Sequence, residues 1–202
     1  MTVRVAGMEL LAISGSPSDP SKTALLLELA VARAAAHDDV SAELLALRDH
    51  DVVFSDGRDP ADYTGDTRAV IDRVVAADAL VVGTPMYRGS YTGRLKNLFD
   101  VLPNDALAGK PVGLVATGGT DHHFLAVEHE LKPLVGFFRA WAVPGAVYAN
   151  NTHFDGGALV DDGVRDRLDA LTDAVVTFAR RMPRDAAGAA APDIPRRSLR
   201  EG

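Results

Sequence analysis

Hydroxyl-bearing side chains are concentrated in one short segment near the beginning of the sequence. Residues 14–23 read SGSPSDPSKT, and beyond the leading serine they carry Ser16, Ser18, Ser21 and Thr23. The segment separates a predicted strand from a predicted helix, and the first N–H groups of a helix have no partner within it. Free N–H groups and hydroxyls beside the positive end of a helix dipole favour an anion. The segment therefore predicts a phosphate-binding loop.

The spacing within this first loop excludes two common nucleotide-binding motifs. No Gly-Lys-Ser/Thr follows at the distance that a Walker loop requires, and the loop contains no GxGxxG pattern. A hydroxyl-rich loop instead suits a phosphate monoester, such as that of FMN. The loop by itself also supports a structural interpretation, in which Ser21 caps the following helix after a turn rich in serine and proline.

A second loop, residues 84–93, combines stiff apolar residues with two glycines. Its apolar segment consists of Pro85, Met86 and Tyr87, which together can flank a planar ring. The glycines permit close approach of a ligand to the backbone. The alternative interpretation is an ordered loop whose tyrosines close one edge of the core.

A third loop contains Gly118, Gly119 and Thr120. Paired glycines leave their N–H groups accessible, so these groups can bond the polar pyrimidine edge of a flavin. Alternatively, the loop is a simple strand-to-helix turn with Thr120 as the cap. All three loops follow strands of one predicted parallel sheet, and such sheets bind ligands at their carboxyl edge. The convergence of the loops, rather than any one of them, predicts a flavin site.

Short apolar runs alternate with longer amphipathic segments along the chain. The predicted strands are residues 8–13, 40–47, 80–83, 111–116 and 146–149. The predicted helices are residues 22–36, 67–77, 92–102, 121–141 and 164–182, with Pro133 as a kink or break. This pattern predicts an α/β, flavodoxin-like three-layer fold with a five-stranded parallel sheet of order 2-1-3-4-5. One domain is expected at residues 8–182, followed by a disordered C-terminal tail at residues 183–202.

The composition restricts the possible functions. The 202 residues carry a formal net charge of −7 and include no cysteine. Redox chemistry must therefore take place on a bound cofactor, and neither nucleic acid nor a membrane is an expected partner. The first apolar run is too short for a signal sequence or a membrane span, so we expect a cytoplasmic protein. The spacing of His122, His123 and His129 does not favour a metal site.

Four stretches of the sequence resemble the NAD(P)H-dependent FMN reductases. Three are typical of the whole family: Gly15-Ser16-Pro17 with Ser21, residues 84–97 (TPMYRGSYTGRLKN) and residues 116–120 (ATGGT). The fourth is residues 123–133 (HFLAVEHELKP). Together with Val147-Tyr148-Ala149, it resembles one branch of the family. That branch supplies reduced flavin to two-component alkanesulfonate and methanesulfonate monooxygenases.

The resemblance implies a role for each motif. The residues that would hold the FMN phosphate are Ser16, Ser21, Lys22 and Thr23. The residues that would line the isoalloxazine are Pro85, Met86, Tyr87 and Arg88, and those that would bind its pyrimidine edge are Gly118, Gly119 and Thr120. Hydride would pass from the nicotinamide C4 to the flavin N5, so no catalytic acid, base or nucleophile is expected from the protein.

The resemblance also implies cofactors and partners. NADPH is the expected hydride donor and NADH the alternative, with Arg88 or Arg94 available to a 2′-phosphate. A flavin-dependent monooxygenase is the expected recipient of the reduced flavin. A homodimer or homotetramer is expected, and the apolar residues 135–141 are either a contact surface or core.

One position departs from the alkanesulfonate-type pattern. Those members insert a tyrosine into the helix after the Gly-Gly-Thr loop, which forms a π-bulge at a subunit contact. The equivalent position here is His129, which resembles the methanesulfonate-type relatives. The alternative interpretation is a partly exposed helix histidine without a role.

Two other functions fit the same motifs. One is an enzyme that keeps FMN bound and reduces quinones, azo dyes or metal oxyanions. The other is a flavodoxin-type electron carrier. Carriers usually surround the flavin with acidic residues, whereas this chain places Arg88, Arg94 and Lys96 around its second loop, which disfavours a carrier.

Overall fold

Four long parallel strands lie at the centre of the structure. The computed structural model describes residues 7–183 and 188–189. The long strands are β1 (Met8–Ser14), β2 (Val40–Ala46), β3 (Ala79–Pro85) and β4 (Pro111–Thr117), and their order is β2-β1-β3-β4. Ser14 pairs with Gly83 and Pro85 pairs with Thr117, so the three central strands end close together at one edge. That edge is where the three loops begin.

The fifth position of the sheet is shared by two short strands. β5 (Trp141–Ala142) pairs with the beginning of β4, and β6 (Val147–Ala149) pairs with its end, both in parallel. Pro144 lies between them without an N–H to donate, and Gly145 has a φ of +90°. The predicted order 2-1-3-4-5 is therefore confirmed. The single strand predicted at residues 146–149 corresponds to β6, and β5 was not predicted.

Helices cover both faces of the sheet. They are α1 (Lys22–Ala35), α2 (Gly65–Ala76), α3 (Gly93–Val101), α4 (Lys132–Phe137) and α5 (Asp162–Arg181). Side chains alternate along β1, so that Leu11 and Ile13 pack with α2, α3 and α4, while Leu10 and Ala12 pack with α1 and α5. The predicted three-layer, flavodoxin-like architecture is confirmed.

Side chains at the helix starts explain where three of these helices begin. Ser21 precedes α1, Thr92 precedes α3 and Asp161 precedes α5. The side-chain oxygen of each accepts a hydrogen bond from the N–H three residues later, over 3.1, 3.2 and 2.7 Å respectively. These bonds satisfy N–H groups that the helix itself cannot pair.

Residues 121–141 were predicted to be mostly helical with a kink or break at Pro133, and the structure differs in detail. The segment consists of a 3₁₀ turn (Asp121–His123), a π-helix (Val127–Leu131) and α4, and Trp141 already belongs to β5. Pro133 lies in the first turn of α4 and marks the change from π- to α-helix rather than a break. A proline is tolerated there because its missing N–H is needed least at the start of an α-helix.

A short antiparallel hairpin, β7 (Phe154–Asp155) and β8 (Ala158–Leu159), joins β6 to α5 and was not predicted. No helix within the described ranges is long and apolar enough to cross a membrane. Apart from residues 183, 188 and 189, the predicted tail lies outside the described residues, so its disorder stays a prediction.

The hydroxyl of Tyr63 gives a test of the core that is independent of the site. Tyr63 is 3% exposed, and its buried oxygen has no hydrogen-bond partner in the described part of the chain. An unsatisfied buried hydroxyl costs about 1–3 kcal/mol. We therefore expect Tyr63→Phe to raise the free energy of unfolding by about 1 kcal/mol in urea denaturation. Tyr87→Phe, at a half-exposed ring, should leave stability unchanged, and a loss of stability in Tyr63→Phe would contradict the expectation.

Candidate functional site

A cleft of about 280 Å³ opens at the carboxyl ends of β1, β3 and β4. Its lining residues come from the three loops and from the turn after β6: Ser16, Ser18, Pro20, Ser21, Lys22, Thr23, Pro85, Met86, Tyr87, Thr117, Gly118, Gly119 and Asn151. Nine of the eleven predicted site residues are in this set, and Arg88 and Thr120 are not. The lining includes one cationic side chain, Lys22, and no carboxylate, which suits an anionic ligand.

In the first loop, one serine caps the helix and can still donate a hydrogen bond to a ligand. Ser21 caps α1 through its oxygen, as the structural interpretation predicts, and its hydroxyl hydrogen remains available to a ligand. Ser16 and Ser18 lie with their hydroxyl oxygens 3.1 Å apart. The Thr23 hydroxyl is buried and lies 2.7 Å from the hydroxyl of Thr117, so its side chain ties α1 to β4. What Thr23 offers a ligand is therefore chiefly its N–H at the helix start.

Lys22 lies at the rim of the cleft and is held there. Its Nζ donates to Oδ1 of Asn151 over 2.8 Å and lies 5.1 Å from the centre of the Phe154 ring. An ammonium group has three N–H donors, so two stay available beside the first loop. Asn151 was missed in the sequence, where its only signal was its position just after the fifth strand.

Two further residues hold the backbone of the first loop, a role that the sequence did not reveal. Thr92 donates from Oγ1 to the Gly15 carbonyl over 2.7 Å, and a Cβ at Gly15 would lie 2.8 Å from the Cβ of Leu95. Arg48 donates from Nη1 to the Ser18 carbonyl over 2.6 Å. The loop is thus anchored from the start of α3 on one side and from the turn after β2 on the other.

The second loop places an apolar wall and an exposed turn beside each other. Met86 is buried, and its N–H donates to the Thr117 carbonyl over 2.7 Å, which draws this loop against the end of β4. Tyr87 and Ser90 pair around a two-residue turn in which Arg88 has a φ of +57° and Gly89 one of +85°. These angles are typical of a type I′ turn, which seldom carries a side chain as large as arginine. Arg88 is exposed at the tip of the turn, outside the lining of the cleft.

The third loop is attached to β6 at two points. The Gly118 N–H donates to the Ala149 carbonyl over 3.0 Å, and the Tyr148 hydroxyl donates to the Thr120 carbonyl over 2.5 Å. The Thr120 side chain caps the following 3₁₀ turn and lies 2.8 Å from Nδ1 of His122, as the turn interpretation predicts. What Thr120 offers a ligand is therefore chiefly its backbone N–H.

A family model described as NADPH-dependent FMN reductase matches residues 8–154. The chain belongs to this family. The resemblance seen in the sequence motifs is thereby confirmed, and so is the assignment of the chain as an FMN reductase, an oxidoreductase that uses FMN and a nicotinamide cofactor.

Individual relatives of this FMN reductase agree with the family. An NAD(P)H-dependent FAD/FMN reductase of Geobacillus thermodenitrificans is 46% identical over 84% of this chain and 92% of that protein. The NADH-dependent FMN reductase SfnF of Pseudomonas putida is 33% identical over 85% of this chain and 92% of that protein. The solved apo structure of the NADH:FMN oxidoreductase EmoB superimposes with a TM-score of 0.71 at 32% identity, covering 87% of this chain and 90% of that one.

The residues of the cleft fit FMN. A cradle at the start of α1 suits its phosphate, and the Gly118–Thr120 loop presents N–H groups on Gly119 and Thr120 for which no partner is found among the described residues. When bound, FMN accepts hydride at its ring, and that chemistry belongs to the cofactor. What remains for the FMN reductase is to bind and orient the two cofactors.

The helix after the third loop contains the π turn that the family resemblance implied. His129 is exposed in the middle of the π-helix Val127–Leu131. Next to it, Glu130 accepts a hydrogen bond from the Ser90 hydroxyl over 2.9 Å, which joins the π-helix to the turn of the second loop. Within the described ranges, no three histidine, aspartate or glutamate side chains are placed to hold a metal ion.

Proposed function

We propose that this FMN reductase binds FMN in the cleft as a substrate and releases reduced FMN to a flavin-dependent monooxygenase. The observation that carries the proposal is the pairing, in one cleft, of an anion cradle with a glycine loop whose N–H groups are free. The cleft, of about 280 Å³, lies at the surface where the carboxyl ends of the strands meet. Such a cleft suits a flavin that enters and leaves.

Each end of FMN has proposed contacts. Ser16, Ser21, Lys22 and Thr23 take the phosphate, through side-chain donors and the N–H groups at the start of α1. The ring lies against Pro85, Met86 and Tyr87, with Arg88 beside it at the exposed turn. The loop of Gly118, Gly119 and Thr120 binds the pyrimidine edge: Gly119 and Thr120 donate their N–H groups, and Gly118, whose N–H is bonded to the Ala149 carbonyl, permits close approach. These donors favour the negative charge that reduction brings.

The hydride donor is proposed to be NADPH, with NADH as the alternative. Arg94 is less available to a 2′-phosphate because its Nη1 donates to the Leu47 carbonyl over 2.8 Å. Arg88 is exposed, and no partner is found for its guanidinium in the described part of the chain. Of the two arginines that the sequence offered, Arg88 is therefore the better candidate to meet that phosphate.

Steady-state kinetics with free FMN test the proposal. Oxidation of NADPH should depend on added FMN, and the purified protein should lose its yellow colour on dialysis. Absence of FMN turnover with either NADPH or NADH would overturn it. Retention of FMN through dialysis with ping-pong kinetics would instead support the enzyme that reduces quinones, azo dyes or metal oxyanions on a tightly bound flavin.

Lys22 provides a specific test of the phosphate end. In Lys22→Met, the dissociation constant for FMN should rise about tenfold because one charge-assisted hydrogen bond is lost, whereas riboflavin binding should not change. Fluorescence titration with both flavins measures the ratio. Lys96→Met is a matched control, because Lys96 pairs with Asp100 on α3 outside the cleft. Equal weakening of FMN and riboflavin would contradict the phosphate assignment.

The proposal extends to assembly and location. Exposed apolar side chains occur repeatedly between the third loop and β5, at Phe124, Leu125, Phe137 and Trp141. Large exposed apolar residues of this kind are typical of protein contact surfaces. We propose a homodimer or homotetramer that uses this segment, located in the cytoplasm.

A further inference from the structure

Tyr148 occupies a position from which it can control the third loop. It lies in the middle of β6, opposite Ala116 of β4. Its neighbours Val147 and Ala149 are buried on one face of the sheet, so the Tyr148 ring lies on the other face, half-buried against the core beneath α2, α3 and α4. The ring therefore reaches the end of β4, where the third loop begins.

The loop is pinned on both sides of its free N–H groups. Before them, the Gly118 N–H donates to the Ala149 carbonyl over 3.0 Å. After them, the Thr120 carbonyl accepts a hydrogen bond from the Tyr148 hydroxyl over 2.5 Å. Between these points lie the N–H groups of Gly119 and Thr120, which have no partner among the described residues. The strand β6 thus sets the orientation of the peptide units that offer donors.

The fit between Tyr148 and the loop is close. A Cβ built on Gly118 would overlap the Tyr148 hydroxyl oxygen and lie 3.0 Å from Cζ of the ring. The hydroxyl can therefore reach the Thr120 carbonyl only because residue 118 has no side chain. Glycine at this position allows the tyrosine contact as well as the approach of a ligand.

The electrostatic surroundings keep the hydroxyl a donor. Burial raises the pKa of Tyr148, and the carboxylate of Asp121 adds to the rise. The group therefore stays protonated at neutral pH. A second hydrogen bond stabilises the same region: Asn150 donates from Nδ2 to Oδ1 of Asp121 over 2.6 Å.

We propose that Tyr148 is a positioning residue for the flavin, whose hydroxyl holds the Gly119 and Thr120 N–H groups in place for the pyrimidine edge. This inference rests on the proposed flavin site. Gly119 and Thr120 are exposed, and phenylalanine would keep the ring contacts of Tyr148, so removal of the hydroxyl should leave the core intact. Its effect should appear in flavin binding rather than in folding.

The test compares Tyr148→Phe with the unmodified protein in titrations with FMN and with riboflavin. Both dissociation constants should rise by the same factor, about fivefold to tenfold, because loss of the bond to the Thr120 carbonyl leaves the Gly119 and Thr120 N–H groups less well oriented for either flavin. The visible absorption change of FMN on binding should also differ, because hydrogen bonds at the pyrimidine edge alter the flavin spectrum. Turnover at saturating FMN should change less than the KM for FMN.

The controls separate this inference from its premise. Tyr63→Phe removes a buried tyrosine hydroxyl outside the cleft and should leave both dissociation constants unchanged. If the unmodified protein binds FMN and Tyr148→Phe binds both flavins within twofold of it, the positioning role is overturned. Weakened binding of FMN alone would also overturn it, because that result places the effect at the phosphate. Failure of the unmodified protein to bind FMN would instead contradict the proposed function itself.

Discussion

Replacing Gly118 by alanine is expected to weaken FMN binding by about thirtyfold to a hundredfold. The new Cβ would overlap the hydroxyl oxygen of Tyr148, so either the tyrosine or the loop must shift and their hydrogen bond is lost. Overpacking of this kind typically costs about 1–3 kcal/mol, and here the displaced backbone carries the proposed donors to the flavin. The loss should affect riboflavin as strongly as FMN. Fluorescence titration and the KM for FMN both measure it.

A control variant and a double variant test whether the clash at Gly118 causes the loss of binding. Gly93→Ala is the matched control, because a Cβ there meets nothing within 4 Å and alanine favours the first turn of α3. Its FMN affinity should stay within twofold of the unmodified protein. Combining Gly118→Ala with Tyr148→Phe removes the overlapping oxygen but leaves the ring carbon at 3.0 Å. The double variant should therefore bind FMN better than additivity predicts, and strict additivity would contradict the proposed clash.

Thr92→Val is expected to lower the free energy of unfolding by about 2–3 kcal/mol. Valine has nearly the shape of threonine, so the change removes one hydroxyl from a site that is 4% exposed. That hydroxyl accepts from the Leu95 N–H over 3.2 Å and donates to the Gly15 carbonyl over 2.7 Å. Both partners lose their bond, which ends the cap of α3 and frees the first loop. Urea denaturation measures the stability, and FMN titration should show weaker binding as well.

A second buried threonine supplies the comparison. Thr172 donates to the Leu168 carbonyl over 2.8 Å within α5 and is fully buried. That carbonyl is also within reach of the helix N–H four residues later, so Thr172→Val should cost less than about 1 kcal/mol and leave FMN binding unchanged. Equal destabilisation by the two variants would mean that Thr92 acts only as a buried hydroxyl and not as an anchor of the first loop.

Much of this architecture is encoded in local sequence patterns. Apolar runs of strand length, separated by amphipathic helices, predict a parallel sheet covered on both faces, because each pattern reflects the periodicity of its own element. Ser21 illustrates the same locality, since a serine three residues before the N–H that it caps is visible in sequence. The three loops could be placed at one edge for a related reason: the carboxyl ends of parallel strands must point the same way.

Predictions failed where the outcome depended on backbone hydrogen bonding over a longer range. The segment 121–141 has helical composition throughout, yet it changes from 3₁₀ turn to π-helix to α-helix, and Trp141 pairs with Pro111 of β4 instead of continuing the helix. Pro144 interrupts the fifth strand in a way that the apolar pattern does not show. At Trp141, pairing with β4 competes with the local helical preference and decides the conformation.

The sequence by itself determined the fold class, the family and the three loops that line the cleft. The tertiary structure alone decided which side chains reach the cleft and which brace it. It turned Thr120 away into a cap, placed Arg88 on an exposed turn, and brought Asn151 to Lys22 across 129 positions of sequence. Likewise, the bond from Tyr148 to Thr120 spans 28 positions. Motifs report chemistry over a few neighbouring residues, whereas these contacts exist only because parallel strands carry distant segments to one edge of the sheet.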